Sequence, residues 1–283
     1  MSANPTGPDF SPPGFVGCYR HPERMTGISC QRCGKPICGE CMLPASVGFQ
    51  CPKCVGSARA GARKPRTQFG AVIKPGGGSA TKVIMGLLVA VWVVDLVSMS
   101  GIASQVLSMY NIGIYQGQFW RLVTASLTSG SILGVLMNLL VLWLAGRALE
   151  SELGSWRFVV LYFAAGLGGS TLYFCLGPTG GAALGAYSAV IGLLAANAVG
   201  KRKTHEDIRG DVALLVLLVL YNVLVNFSGL GWLSMIGGIA VGALVGAVLA
   251  YAPHQNRGTI QAVGLLGVVL LCMAAVLAKL VLF

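Results

Sequence analysis

Seven cysteines and one histidine fall between positions 18 and 54 as four hooks, Cys18-x2-His21, Cys30-x2-Cys33, Cys38-x2-Cys41 and Cys51-x2-Cys54. Eight thiolate and imidazole ligands in pairs fill two tetrahedral sites, and Zn²⁺ is the ion best suited to such closed coordination. A disulfide framework is the rival use of this spacing, and a reducing compartment would favour metal. No ligand position is vacant, so the zinc would be structural rather than catalytic. Few apolar residues lie between the hooks, so metal binding should supply most of the folding energy of 18–55. Spacing alone allows a sequential pairing of hooks or an interleaved one. The other two cysteines, Cys175 and Cys272, stand alone in apolar stretches and should simply pack.

These hooks precede a chain that lives in lipid. Mean hydropathy is +0.74, and charged residues make up 10% of the 283 positions, against about a quarter in soluble domains. Apolar runs long enough to cross a bilayer recur near 83–99, 124–145, 157–176, 182–199, 211–227, 232–251 and 260–282, predicting seven spans. No signal peptide is visible ahead of them. Arg59, Arg63, Lys64, Arg66, Lys74, Lys82, Arg147, Arg157, Lys201, Arg202, Lys203, Arg209 and Arg257 fall on one side, which the positive-inside rule places in the cytoplasm together with the N-terminus. Basic loops facing anionic lipid account for the net charge of +11, so no specific nucleic acid is expected. Gly238, Gly242 and Gly246 recur every four residues and so line one helix face, suited to close helix packing. Asp95 is the only acid well inside a span, where a helix-end contact is the simpler role and Lys279 the candidate partner.

Several motifs resemble rhomboid intramembrane serine proteases. Phe119-Trp120-Arg121-Leu122 is similar to the W-R of the first rhomboid loop. Asn138, Gly146-Arg147-Ala148-Leu149-Glu150 and Gly154 resemble the second span and its exit, and Gly185-Ala186-Tyr187-Ser188-Ala189-Val190-Ile191-Gly192 resembles the segment around the family nucleophile. Met235-Ile236-Gly237-Gly238 resembles the span that carries the base. Serine protease chemistry needs a hydroxyl, a base and oxyanion donors. By this resemblance the nucleophile position is Tyr187, the base position is Met235, and the second-span histidine that helps the oxyanion is matched by Gly134. Asn138 alone is retained. Ser188, the alternative nucleophile, is turned by about 100° from Tyr187 on a helix. It also lacks a base, because His21 belongs to the hooks and His205 and His254 lie in cytoplasmic loops. Lys201 is about 20 Å further along the helix from Ser188. The hooks resemble B-box and related cross-braced zinc fingers, which implies that Cys18, His21, Cys38 and Cys41 share one ion and Cys30, Cys33, Cys51 and Cys54 the other.

The resulting expectation is an all-α polytopic membrane protein, a rhomboid-like bundle of six plus one spans behind a small zinc module. Its parts are a disordered tail over 1–17, the module over 18–55, a flexible basic linker over 56–81, the six-helix domain over 82–252 and a seventh helix over 260–283. The resemblance implies a degenerate member without catalysis. Such a protein would act as an adaptor in the cytoplasmic membrane of a bacterium, recognising membrane proteins or transmembrane segments, with the zinc module docking a cytoplasmic protein. A serine endopeptidase centred on Ser188 is the alternative.

Overall fold

A computed structural model describes residues 14–61, 67, 69–71, 78–225, 230–253 and 255–282. The chain divides into two compact units, Met1–Lys64 and Pro65–Phe283. In the first, β1 (Val16–Gly17) pairs antiparallel with β2 (Met25–Thr26), β3 (Leu43–Pro44) pairs with β4 (Phe49–Gln50), and α1 (Pro52–Gly61) closes the unit. Each hairpin carries hooks at its ends, so the ligands follow from tight turns rather than long elements. The buried cluster here consists of Cys18, Cys30, Cys38, Cys41, Cys51 and one fully buried aliphatic, Ile37. Thr26 Oγ1 donates to the Ile37 carbonyl at 2.8 Å. The expected poverty of apolar residues is thus the state of this unit's interior.

Two expected boundaries change. The tail expected over 1–17 is structured at Val16–Gly17, because β2 supplies a partner for that segment; residues 1–13 lie outside the described residues. Of the linker expected over 56–81, residues 56–61 continue α1, which Pro52 opens with a φ already suited to a helix start. Phe69 is buried, its ring tip near Gly200, and Thr67 Oγ1 donates to the Glu152 carbonyl at 2.5 Å. An aromatic side chain and a paired hydroxyl therefore fix Phe69 and Thr67, residues whose surrounding composition reads as flexible. Residues 62–66, 68 and 72–77 lie outside the described residues.

The second unit is helical. It contains α2 (Ser79–Ser98), the short α3 (Ile102–Leu107), β5 (Met109–Tyr110), α4 (Asn111–Tyr115), α5 (Arg121–Thr124), α6 (Ile132–Val141), α7 (Arg147–Leu153), α8 (Ser155–Leu176), β6 (Ala182–Ala183), α9 (Ala186–Thr204), α10 (Arg209–Val225), α11 (Gly231–Tyr251) and α12 (Arg257–Leu282). A π-helical stretch, Leu142–Gly146, makes α6 and α7 one continuous element. Among the described residues, five helices are long and apolar enough to cross a membrane: Ser79–Ser98, Ile132–Leu153, Ser155–Leu176, Gly231–Tyr251 and Arg257–Leu282. The other two expected spans are also helices. α9 ends in Lys201, Arg202 and Lys203, and α10 has 17 residues.

The second span starts at Ile132, not near 124. Leu122, Ala125 and Ser126 are buried by tertiary packing in α5 and the 3₁₀ turn after it, and Ser131 then caps α6 by accepting from the Gly134 N–H. Hydropathy alone cannot separate a buried re-entrant turn from the span that follows it. α8, α9 and α11 form the centre. A Cβ added at Gly238, Gly242 or Gly246 would lie 2.3 Å from Ser188 O, 2.3 Å from Gly192 O and 2.7 Å from Ala196 Cα respectively. The contacts advance four residues at a time on both helices, so α9 and α11 run parallel at backbone contact. Gly168 and Gly169 let α8 approach α11 in the same way, beside Val241 and the Ser234 carbonyl.

Buried polar side chains fasten the helix ends. The Glu150 carboxylate accepts from Ala80 N (3.0 Å), Thr81 N (2.8 Å), Thr81 Oγ1 (2.8 Å) and Ser155 Oγ (2.7 Å). It thereby satisfies donors at the start of α2 that have no partner within the helix. The seventh helix is held at both ends. Arg157 Nε donates to Gln261 Oε1 at 2.8 Å and Gln261 Nε2 to Leu249 O at 3.0 Å. Lys279 Nζ donates to the Phe174 and Cys175 carbonyls at 2.6 and 2.9 Å. Lys279 thus closes the end of α8 and is not the partner of Asp95.

Candidate functional site

The position of interest in the membrane is the start of α9. The N–H groups of Gly185 and Ala186 donate to Ala125 O (2.9 Å) and Thr128 O (3.3 Å), so the loop after α5 fixes where α9 begins. That loop is itself supported by α8, whose Tyr162 hydroxyl donates to Ser126 O at 2.8 Å. β5 and β6 pair across the same end, with Met109 opposite Ala183, and Asn111 Nδ2 donates to Pro178 O at 2.7 Å. Arg121 completes this end by donating to Gln118, Gln105 O and Ser108 O. Its role is to tie loop segments together.

Within that frame Tyr187 points at α6. A Cβ built on Gly134 would lie 1.8 Å from the Tyr187 hydroxyl and 2.9 Å from Cζ. The phenol therefore occupies the space that any side chain at 134 would need, and its hydroxyl meets the Ser131 side chain. Met235 is buried in the apolar cluster against which Tyr187 packs. Asn138 is buried, with Nδ2 donating to Ser129 Oγ at 3.1 Å. Ser188 is completely buried and turned away from this group. Its hydroxyl donates to Gly185 O at 2.7 Å, and its side chain fills the gap above Gly169.

The resemblance groups Tyr187, Gly134, Asn138 and Met235; in the structure Tyr187 on α9 meets Gly134 on α6, Asn138 lies on α6, and Met235 on α11 belongs to the buried cluster against which Tyr187 packs. Sequence reasoning missed Ser129 and Ser131. The signal for Ser131 was present, a hydroxyl residue just before an apolar run, which is a helix start.

Residues 116–252 match the Rhomboid domain family. Over that segment the chain is similar to rhomboid domains. Over 137 residues it is 32% identical to the rhomboid protease GluP of Bacillus subtilis, covering 48% of this chain and 27% of that protein. It is 37% identical over 143 residues to RHOMBOID-like protein 4 of Arabidopsis thaliana, covering 48% and 36%. It is 26% identical over 206 residues to the rhomboid protease GlpG of Salmonella paratyphi A, covering 71% of this chain and 72% of that protein. The chain spans between about a quarter and a half of the length of GluP and of RHOMBOID-like proteins 4 and 5. The likeness agrees with the five helices of the described residues that are long and apolar enough to cross a membrane.

The second candidate site precedes, in sequence, the segment similar to rhomboid domains. Cys18, His21, Cys38 and Cys41 form one cluster and Cys30, Cys33, Cys51 and Cys54 another, the ligand atoms of each within 4.8 Å of one another. This is the interleaved pairing, and it sets aside the sequential one. His21 Nδ1 faces Cys38 Sγ at 3.4 Å and Cys41 Sγ at 3.5 Å, so Nδ1 is the ring nitrogen turned toward the thiols. The Cys51 N–H points at Cys30 Sγ at 3.2 Å and the Cys54 N–H at Cys51 Sγ at 3.4 Å. Burial disfavours the Cys18 thiolate, but N–H groups of Arg20, Cys38 and His21 outweigh it and hold the thiol at about 6. At Cys30 burial is likewise outweighed, by the N–H groups of Cys51, Cys33 and Arg32, again at about 6. Burial and the neighbouring thiols Cys18 and Cys38 push Cys41 up to about 11. Thiol hydrogen bonds with Cys51 and Cys33 push Cys54 up to about 12. Each cluster thus has at least one thiol whose ionisation is eased, Cys18 in the first and Cys30 and Cys51 in the second, and one whose neighbours oppose it, Cys41 and Cys54. A divalent cation removes that conflict, so the residues fit a metal.

Proposed function

We propose that this protein is a rhomboid-fold pseudoprotease, an adaptor that recognises transmembrane segments or membrane-protein partners while its metal module docks a cytoplasmic protein. The observation that carries the reading is the Tyr187 phenol, whose hydroxyl would stand 1.8 Å from a Cβ at Gly134. The place where the resemblance puts a nucleophile and an oxyanion-stabilising histidine is filled by one side chain. Hydrolysis would need a hydroxyl with a base in hydrogen-bond reach, and neither Tyr187 nor Met235 supplies one. The alternative of an endopeptidase at Ser188 is disfavoured by burial of that hydroxyl and by its bond to the Gly185 carbonyl. In the module, Zn²⁺ is the ion we assign to both clusters, on the strength of their Cys₃His and Cys₄ donor sets.

A serine-directed fluorophosphonate probe tests the central claim on the detergent-solubilised chain. No labelling of Ser188 and no cleavage of model transmembrane substrates is the expected result. Labelling lost in Ser188→Ala but kept in other serine variants would overturn it.

A further inference from the structure

Asp95 stands at the end of α2 remote from Lys82. Its Oδ1 accepts from the Ser104 N–H at 2.9 Å, and its Oδ2 accepts from the Ser104 hydroxyl. These bonds cap α3 and use two of about four acceptor sites that a carboxylate offers. Among the described residues no basic group forms an ion pair with it. The carboxylate is therefore held in place by Ser104 without a basic partner among the described residues.

The carboxylate opens into a cleft of about 340 Å³ lined by Trp92, Asp95, Leu96, Ser104, Ser129 and Leu184, with the backbone of Gly101 and Gly130. Each wall has a distinct chemistry. Trp92 lines the cleft beside Asp95, and an indole can hold a cation over its face. Ser129 Oγ accepts from Asn138 Nδ2, which leaves its own O–H to donate to an anion. Beyond the rim the surface is apolar and outward-facing, with Leu96 at 60% exposure, Val97 at 76% and Met99 at 95%. In a bilayer those side chains meet lipid chains.

We infer that this cleft binds the headgroup of an aminophospholipid, its ammonium on Asp95 and Trp92, its phosphate toward the Ser129 hydroxyl and its chains along Leu96 and Met99. The continuity of the cleft with an exposed apolar helix face favours a lipid over the basic side chain of a protein partner. A primary ammonium can donate hydrogen bonds to the carboxylate, whereas a quaternary choline cannot. The inference does not depend on whether the centre near Tyr187 is inactive.

The test uses the full chain in phosphatidylcholine nanodiscs with photoactivatable phosphatidylethanolamine or phosphatidylcholine as probe. The ethanolamine probe should label the 92–104 segment on the order of ten-fold more than the choline probe, as a charge-assisted hydrogen bond would give. Asp95→Asn keeps the shape and removes the charge, and should bring the ratio near one. Should that variant lose its helical signal, Leu184→Trp, which fills the cleft and leaves the carboxylate, decides the matter with the same expected loss. Equal labelling of the wild type by both probes, or a preference that survives in the folded variants, overturns the inference. Crosslinking of the same segment by a leucine-rich transmembrane peptide with one lysine, without any lipid preference, would overturn the lipid assignment in favour of a partner's side chain.

Discussion

Tyr187 and Gly134 are one structural decision made at two positions. A phenol on α9 fits only while the facing position on α6 has no side chain, so the two must be read together. Gly134→Ala should cost about 1–3 kcal/mol through overpacking, because its methyl would meet the Tyr187 hydroxyl. Combined with Tyr187→Ser, the same alanine should cost far less, and the coupling in a double-mutant cycle should exceed about 1 kcal/mol. Denaturant titration of the four variants in detergent measures this, and additive effects would show that the phenol does not fill the site. The same geometry predicts that Tyr187→Ser with Met235→His stays inactive toward transmembrane substrates, since Gly134 still supplies no oxyanion donor. Robust cleavage by that variant would mean that the scaffold had kept its catalytic arrangement.

Helix contacts explain what the fold can tolerate. The α9–α11 seam is backbone on backbone, so Gly242→Val, whose Cβ would lie 2.3 Å from Gly192 O, should lower stability by about 1–3 kcal/mol or more. Gly258→Ala, which meets nothing nearby on α12, should be silent in the same unfolding assay. Glu150→Ala should cost more than Glu150→Gln, because it strands the buried N–H groups of Ala80 and Thr81, at about 1–3 kcal/mol for each unsatisfied group. The glycine seam was legible in the sequence because a four-residue repeat is a local signal with one geometric meaning. The metal hooks were legible for the same reason. The cap at Glu150, the clamp of Arg157 on Gln261 and the anchoring of Phe69 join positions far apart in the chain, and no local pattern marks them. The start of the second span was misread because burial by a neighbouring loop and burial by lipid select the same apolar residues.

At the scale of the whole molecule, the two units draw their stability from different sources. The helical unit buries side chains and backbone against one another, whereas among the described residues of the module Ile37 is the one fully buried aliphatic side chain amid cysteines. Structural zinc in small modules contributes on the order of 10–16 kcal/mol at neutral pH, enough to decide whether such a unit folds. The chain should therefore carry two zinc ions by elemental analysis, and one ion or none would sink the assignment. Chelation should remove hydrogen-exchange protection from 16–61 while the protection of α8, α9 and α11 stays. The ligand sets are interleaved: the hook at Cys30 and Cys33 lies in sequence between the two hooks of the other ion, and the hook at Cys38 and Cys41 lies within the loop that the second ion closes. Neither ion can leave without releasing chain that positions the ligands of the other. His21→Ala and Cys54→Ser each remove a ligand from only one cluster, yet each should reduce zinc content well below one per chain. Retention of one full equivalent in both variants would show two independently folding sites, contrary to this interlocked arrangement.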